Sequence, residues 1–399
     1  MSWSRRGIQF TWLVVATLIL TPASHCESPS SQSKQLRKFT GRIIDDNIRP
    51  HIQFLASPEL KGRSGESALM AANYVRSCFK KTELQPLFDS ESYFQPIPGS
   101  GNEKGKTHLL GRNVGAWIPG SDDRLKNEII IISAHYDHLG VRDGRVYRGA
   151  DDNASGVSML LEVARQISAE STRPRRSIVF LAFDLEEQLL WGSRWFVAHP
   201  PWPLKRVKFF LTADMIGRSL GNLPLPVVFV LGSEHAPELK RVLDDVGHPH
   251  GLEVSRLGID LIGTRSDYGP FRDKKIPFLF ISTGEHPDYH TPQDLPDRID
   301  YKKVARVASL VLRITNSIAN ADSTPLWTDK FEPDVDEARA IHQITTLLLK
   351  SDKKLTDLQQ FIVSQTQIKT KQIVDRNTMT TNERKWLTRV SKLLLLSIF

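Results

Sequence analysis

Gly149-Ala150-Asp151-Asp152-Asn153-Ala154-Ser155-Gly156 is a short polar turn between two apolar runs of different period. Upstream, Ile129-Ile130-Ile131-Ile132-Ser133-Ala134 is continuously apolar and β-branched, as expected of a strand covered on both faces. It ends in His135-Tyr136-Asp137-His138. Downstream, Val157 to Ile167 carries apolar residues at helical spacing. The small residues around the Asp pair let the chain turn tightly and approach a ligand closely. A strand edge bearing His and Asp, a turn bearing two Asp, then a helix make the frame of a metal site at the mouth of an α/β sheet. A plain polar loop closed by an Asx turn would use the same residues.

Further strands are expected at Asn113–Ile118, Ser177–Phe183, Val207–Leu211, Pro226–Leu231 and Ile276–Ile281. Between and around them, helices are expected from Ile43 to Phe79 (two, joined by the turn-rich Pro58–Gly65), at 237–246 and at 301–318. Tyr93–Lys106 reads as a loop. The alternation predicts an α/β fold: a central mixed, mostly parallel sheet sandwiched between helices, with a C-terminal helical extension. Ligands in such sheets sit at the carboxyl ends of the strands.

Those ends are where the polar residues fall. His135 and Asp137 follow the first strand, Glu186 and Glu187 the strand at 177–183, Asp214 the strand at 207–211, and His290 the strand at 276–281. Run in parallel, four strands would deliver acids and imidazoles to one face. This mixed N/O donor set suits zinc, with manganese or cobalt as substitutes. Two ions fit better than one, with Asp152 as the shared carboxylate. His135 and Asp214 then complete one ion, and Glu187 and His290 the other. Asp137 is placed to accept a hydrogen bond from His135 and raise its basicity. Glu186, adjacent to a ligand yet unassigned, is the candidate base for a metal-bridging water, with a plain surface acid as the lesser alternative.

Here the residues resemble the di-zinc aminopeptidases of Peptidase family M28, which contains the bacterial leucyl aminopeptidases and their carboxypeptidase and cyclase relatives. The matching stretches are HYDHLG at 135–140, GADDNASG at 149–156, EEQLLWGS at 186–193, ADMIGR at 213–218 and YHTPQDLPD at 289–297. Weaker matches are LASPELKGRSG at 55–65, RNVGAWIPG at 112–120 and RSDYGPF at 265–271. The resemblance implies the three-layer αβα fold of zinc exopeptidases and metal ligands at His135, Asp152, Glu187, Asp214 and His290. It implies Glu186 as general base, Asp137 as the orienting acid, a cis peptide at Asp152-Asn153, and Tyr289 as a residue that helps hold the oxyanion.

The chain departs from the family pattern in places. It reads LLWGS at 189–193 where a glycine-bearing GLLGS is usual, so that Trp191 would narrow a pocket or merely pack. It has Tyr268 in place of the histidine of an SDH triplet. Between Gln95 and Gly111 there is no room for an inserted lid, which predicts a more open cleft.

The activity implied is that of an aminopeptidase acting on peptides, and Leu189, Leu190 and Trp191 lean the pocket toward apolar side chains. The alternatives are a carboxypeptidase or dipeptidase, favoured by an arginine such as Arg218 or Arg265 in the pocket, and a non-catalytic binding domain on the same scaffold. A single-zinc glutaminyl cyclase is disfavoured by His135.

The formal charge is +8, but residues 341–399 hold ten Lys or Arg against four Asp or Glu. The rest is near neutral, with no basic stripe interleaved with aromatics, so no nucleic-acid partner is expected. Two cysteines, Cys26 and Cys78, make neither a disulfide framework nor a thiolate site. Arg5, Arg6, the apolar run 10–20 and Pro22-Ala23-Ser24 read as an export signal or N-terminal anchor over residues 1–26, which predicts a periplasmic or extracellular protein. Residues 27–38 read as a linker, 39–320 as the catalytic domain and 321–399 as a basic helical extension. Within the extension, 337–363 looks helical, 364–380 is ambiguous, and Trp386–Phe399 is placed to pack on the domain, meet a partner or touch anionic lipid.

Overall fold

In a computed structural model of the chain, residues 43–101, 107–330 and 332–398 are described. The signal or anchor at 1–26 and the linker at 27–38 lie outside them. Four apolar strands form the centre: β4 (Ile129–His135), β7 (Ser177–Phe183), β8 (Val207–Ala213) and β11 (Phe278–Ser282). They lie side by side in the order β7-β4-β8-β11, all parallel. The carboxyl ends carrying His135, Glu186, Asp214 and His290 therefore open on one edge.

Flanking strands make the sheet mixed. β3 (Thr107–Ile118) runs antiparallel to β7, while β1 (Gln85–Pro86) and β2 (Phe94–Gly101) pair antiparallel with β3. On the other side β9 (Val227–Leu231) runs against β11, and β10 (Glu253–Leu257) runs parallel to β9. β5 (Gly140–Arg142) and β6 (Arg145–Tyr147) form a separate small hairpin.

Strand alternation sends side chains to two layers. Ile130, Ile132 and Ala134 of β4 enter one apolar cluster with α1 (Asp45–Leu55), α2 (Glu66–Lys81), α3 (Gly156–Ser168), α5 (Pro237–Val246) and α7 (Tyr301–Asn320). Ile129 and Ile131 enter the other, with α4 (Trp191–Ala198) and α6 (Tyr268–Arg272). That second layer is continued by α8 (Val335–Lys350), α9 (Asp357–Arg376) and α10 (Thr381–Ile398), through residues such as Ala338, Ile344, Leu387 and Leu394.

Three expectations change. The loop expected at Tyr93–Lys106 contains β2, which tolerates Pro96 and Pro98 because it is an edge strand with irregular register. The helix expected at 337–363 is two helices. α8 stops at Lys350, and α9 begins after Thr356, whose side chain and that of Gln359 close a reciprocal cap. The ambiguous 364–380 is mostly α9, ended by Asn377 in the left-handed conformation. Among the described residues no helix is long and apolar enough to cross a membrane.

Candidate metal centre

The turn after β6 is held from several sides. Gly149 has φ 57°, and a Cβ there would run into Asp152 O and the His138 ring. Asp294 accepts from Asp151 N at 2.9 Å and from Asp152 N at 3.0 Å. Asn153 donates to Ala213 O at 2.9 Å, and Gly217 N donates to Asp151 Oδ1 at 2.6 Å, which zips the turn to the loop carrying Asp214. The Asp152-Asn153 peptide is cis, as the resemblance implied.

Arg63, fully buried, completes the frame. Its Nε donates to Tyr136 O, Nη1 to Leu55 O and Arg148 O, and Nη2 to Gly149 O and Asp152 O, at 2.6–3.1 Å. All five guanidinium N–H groups thus have an acceptor. Burial pulls its pKa down to about 10, against the pull of Asp152 and Asp294, so the group stays cationic at neutral pH.

The structure brings the five expected ligands together around Asp152. Its Oδ1 lies 3.4 Å from His135 Nε2, which is itself 3.3 Å from Asp214 Oδ1. Its Oδ2 lies 3.1 Å from His290 Nε2, which is 3.2 Å from Glu187 Oε2. Two potential ion-holding clusters result, His135/Asp152/Asp214 and His138/Asp152/Glu187, sharing Asp152. Donors at roughly 2.0–2.1 Å from a tetrahedral zinc stand about 3.3–3.4 Å from one another, close to the spacings seen here. The carboxylates of buried Asp137, Asp152 and Asp214 and of half-buried Glu186 and Glu187 form an excess of negative charge that two divalent cations would balance.

His138 has a different relation to the centre. Its Nδ1 is 2.8 Å from Glu187 Oε1, a hydrogen-bond length, but 3.7 Å from Asp152 Oδ2. It orients Glu187, and motif reading gave it no role. Asp137 also differs from expectation. Its Oδ1 is 3.6 Å from His135 Nδ1, beyond a hydrogen bond, while its two oxygens accept from Glu186 N at 3.1 Å and Glu187 N at 3.3 Å. It holds the Glu pair's backbone at least as directly as it faces the imidazole.

The protons of that pair are held in opposite senses. Burial, with the nearby charges of Asp214, Asp267 and Asp137, raises Glu186 well above the usual carboxylate range even against His135. Burial also pushes Glu187 upward, but hydrogen bonds from His138 and His290 outweigh it and leave Glu187 lowered. The two adjacent carboxylates are thus pushed apart in their hold on a proton. Burial acts to lower His135, yet Asp214 and Glu186 outweigh it and raise the imidazole well above its ordinary value.

Tyr289 stacks on His290 with ring centroids 3.8 Å apart and lines the same cavity as Asp152, Glu186 and Asp214. Tyr268, standing where the family pattern has histidine, is buried and donates to Gly263 O at 2.5 Å. Asp267 beside it is fully buried and pushed up to about 7, chiefly by that burial. Leu189, Leu190 and Trp191 do not line the cavity beside the ligands. Leu189 is 82% and Trp191 44% exposed, so any apolar selectivity has to come from elsewhere.

Residues 113–315, half of the chain, match Peptidase family M28. The chain belongs to Peptidase family M28. This M28 chain is 24% identical over 253 residues to the vacuolar membrane protease of Candida tropicalis, covering 62% of the chain and 26% of that protein. It is 27% identical over 209 residues to aminopeptidase YwaD of Bacillus subtilis, covering 50% and 43%. The chain therefore spans less than half the length of these curated relatives. Among solved structures, LapA of Legionella pneumophila superposes with a TM-score of 0.55 at 23% identity, over 70% of this chain and 74% of that one. At that identity the likeness speaks for the fold. The paired donor clusters around Asp152 fit two zinc ions per chain.

Proposed function

We propose that this M28 chain is a zinc-dependent aminopeptidase that hydrolyses the N-terminal bond of peptides. The observation that carries the reading is the division of Asp152 between two donor clusters, with Glu186 beside them and an open cavity against both. In the proposed assignment His135, Asp152 and Asp214 hold one zinc, and Asp152, Glu187 and His290 the other. Two zinc ions there would polarise the scissile carbonyl and acidify a water between them.

The chain's own groups do the rest. Glu186 takes a proton from the attacking water and returns it to the leaving nitrogen. Asp137 holds the Glu186 and Glu187 amides and faces His135. Tyr289 faces the cavity, where its hydroxyl would donate to the developing oxyanion.

The pairing of the nearby arginines supports cleavage from the amino end. The arginines that would favour a carboxypeptidase are both paired: Arg265, which lines the cavity, with Glu285 at 2.8 Å, and Arg218 with Asp288 at 2.9 Å. With residues 39–320 as the catalytic domain and 321–399 as an extension packed on it, the N-terminal 26 residues would export the protein to the periplasm or exterior, or anchor it there.

The deciding experiment assays leucyl-p-nitroanilide and its N-acetyl derivative while zinc is quantified in the same sample. Turnover of the free amine alone, with two zincs per chain, is expected. Equal turnover of the acetylated compound, or full activity without metal, would overturn the reading.

A further inference from the structure

The cavity that opens on Asp152, Glu186 and Asp214 runs away from them between apolar side chains. One side comes from the sheet and its loops, including Met215, Phe229, Leu231 and Phe280. Another part of the lining comes from the C-terminal extension: Ile341 and Ile344 of α8, and Ser391, Leu394 and Leu395 of α10. These five lie beyond residue 315, where the match to the family ends. Ile344 and Leu394 are buried, and the Ser391 hydroxyl is buried with no hydrogen-bond partner.

The wall is pinned in place. Arg384 of α10 reaches Asp260 at 2.8 Å and Glu337 of α8 at 2.9 Å, joining both helices to the turn at Ile259–Leu261. Leu261 and Ile262, in and after that turn, also line the cavity. Arg384 is therefore a positioning residue for the wall. The cavity volume is about 160 Å³. An apolar cavity of roughly 150 Å³ is large enough to take benzene.

We propose that α8 and α10 form the far wall of the pocket for the substrate's N-terminal side chain, and that Ile344 and Leu394 set its upper size at about that of phenylalanine. The proposal rests on the aminopeptidase reading for its substrate. It extends that reading by placing selectivity in a segment outside the family match. Large apolar residues are favoured because they displace water from a pocket lined mainly by apolar side chains, where Arg265 and Glu285 pair with each other.

The test uses the full-length, zinc-loaded chain. Ile344→Phe and Leu394→Phe, made singly, should each lower the phenylalanyl-to-alanyl ratio of kcat/KM on p-nitroanilides by roughly tenfold or more. Leu394→Ala, which adds no bulk, should move the ratio the other way. As a readout independent of hydrolysis, toluene should raise the Tm of the wild-type chain saturably and fail to do so for Ile344→Phe. Unchanged ratios in an active enzyme would overturn the pocket assignment and leave the aminopeptidase reading standing. No anilide hydrolysis, with toluene binding lost in the variant, would overturn the aminopeptidase reading and uphold the pocket. Toluene binding equal in both proteins would count against the wall itself.

Discussion

Nδ1 of His138 lies 2.8 Å from Oε1 of Glu187, while the other oxygen of that carboxylate faces His290 at 3.2 Å. One oxygen is thus taken by a hydrogen bond and the other is left for a cation. Loss of such an orienting partner typically costs 10–100-fold in metal affinity. His138→Ala should weaken binding of one of two zincs by about that factor, read by competition with a chelating dye, and leave the other nearly intact. Equal weakening of both sites, or of neither, would contradict this role.

Glu186→Gln keeps the size of the side chain but cannot take up a proton. Zinc content should stay at the wild-type value while kcat falls by roughly 10²–10⁴-fold. Retention of normal turnover would reduce Glu186 to a bystander.

Arg63 satisfies five carbonyls, nearly all buried, that come from three separate segments. Arg63→Met fills similar space but strands those acceptors and removes a buried cation beside the acids. Breaking a buried network of this kind should cost at least about 3 kcal/mol, measured by urea unfolding of the zinc-loaded chain. A loss below about 1 kcal/mol would mean that water replaces the guanidinium.

Glu337 gives a pH signature away from the metal centre. Burial, set against Arg384, pushes its carboxyl up to about 7 from an ordinary value of 4.5. A raised folded pKa means the folded chain holds the proton more tightly. The contribution to stability is full below pH 4.5 and lost as pH rises through 7. Wild type should therefore lose more stability between pH 5 and pH 8 than Glu337→Gln, by on the order of 1–3 kcal/mol. Identical pH slopes in urea titrations would disprove the shift.

The central strands were readable because β4, β7, β8 and β11 are covered on both faces and so are written as mostly apolar runs, broken in β8 by Lys208. Their register then carried His135, Glu186, Glu187, Asp214 and His290 to one edge. Edge strands left weaker traces. β2 is interrupted by prolines, and β10 reads Glu-Val-Ser-Arg-Leu, half exposed along its length. Other residues of the centre escaped because their partners are distant in the chain. His138 acts on a glutamate 49 positions away and Asp294 on a turn more than 140 away. The pocket wall was the least legible feature. Ile344 and Leu394 look like ordinary helix-core residues until α8 and α10 are laid across the sheet.

That crossing separates the shortest stretch able to react from the shortest stretch able to fold. A fragment ending at Asn320 would retain all eight groups proposed for the chemistry, from His135 to His290. It would also leave Phe229 and Phe278 without the helices that share their apolar cluster, presenting a bare oily slab to water. Such a fragment should precipitate before its reaction could be assayed, so failure to obtain it soluble would say nothing against its catalytic groups.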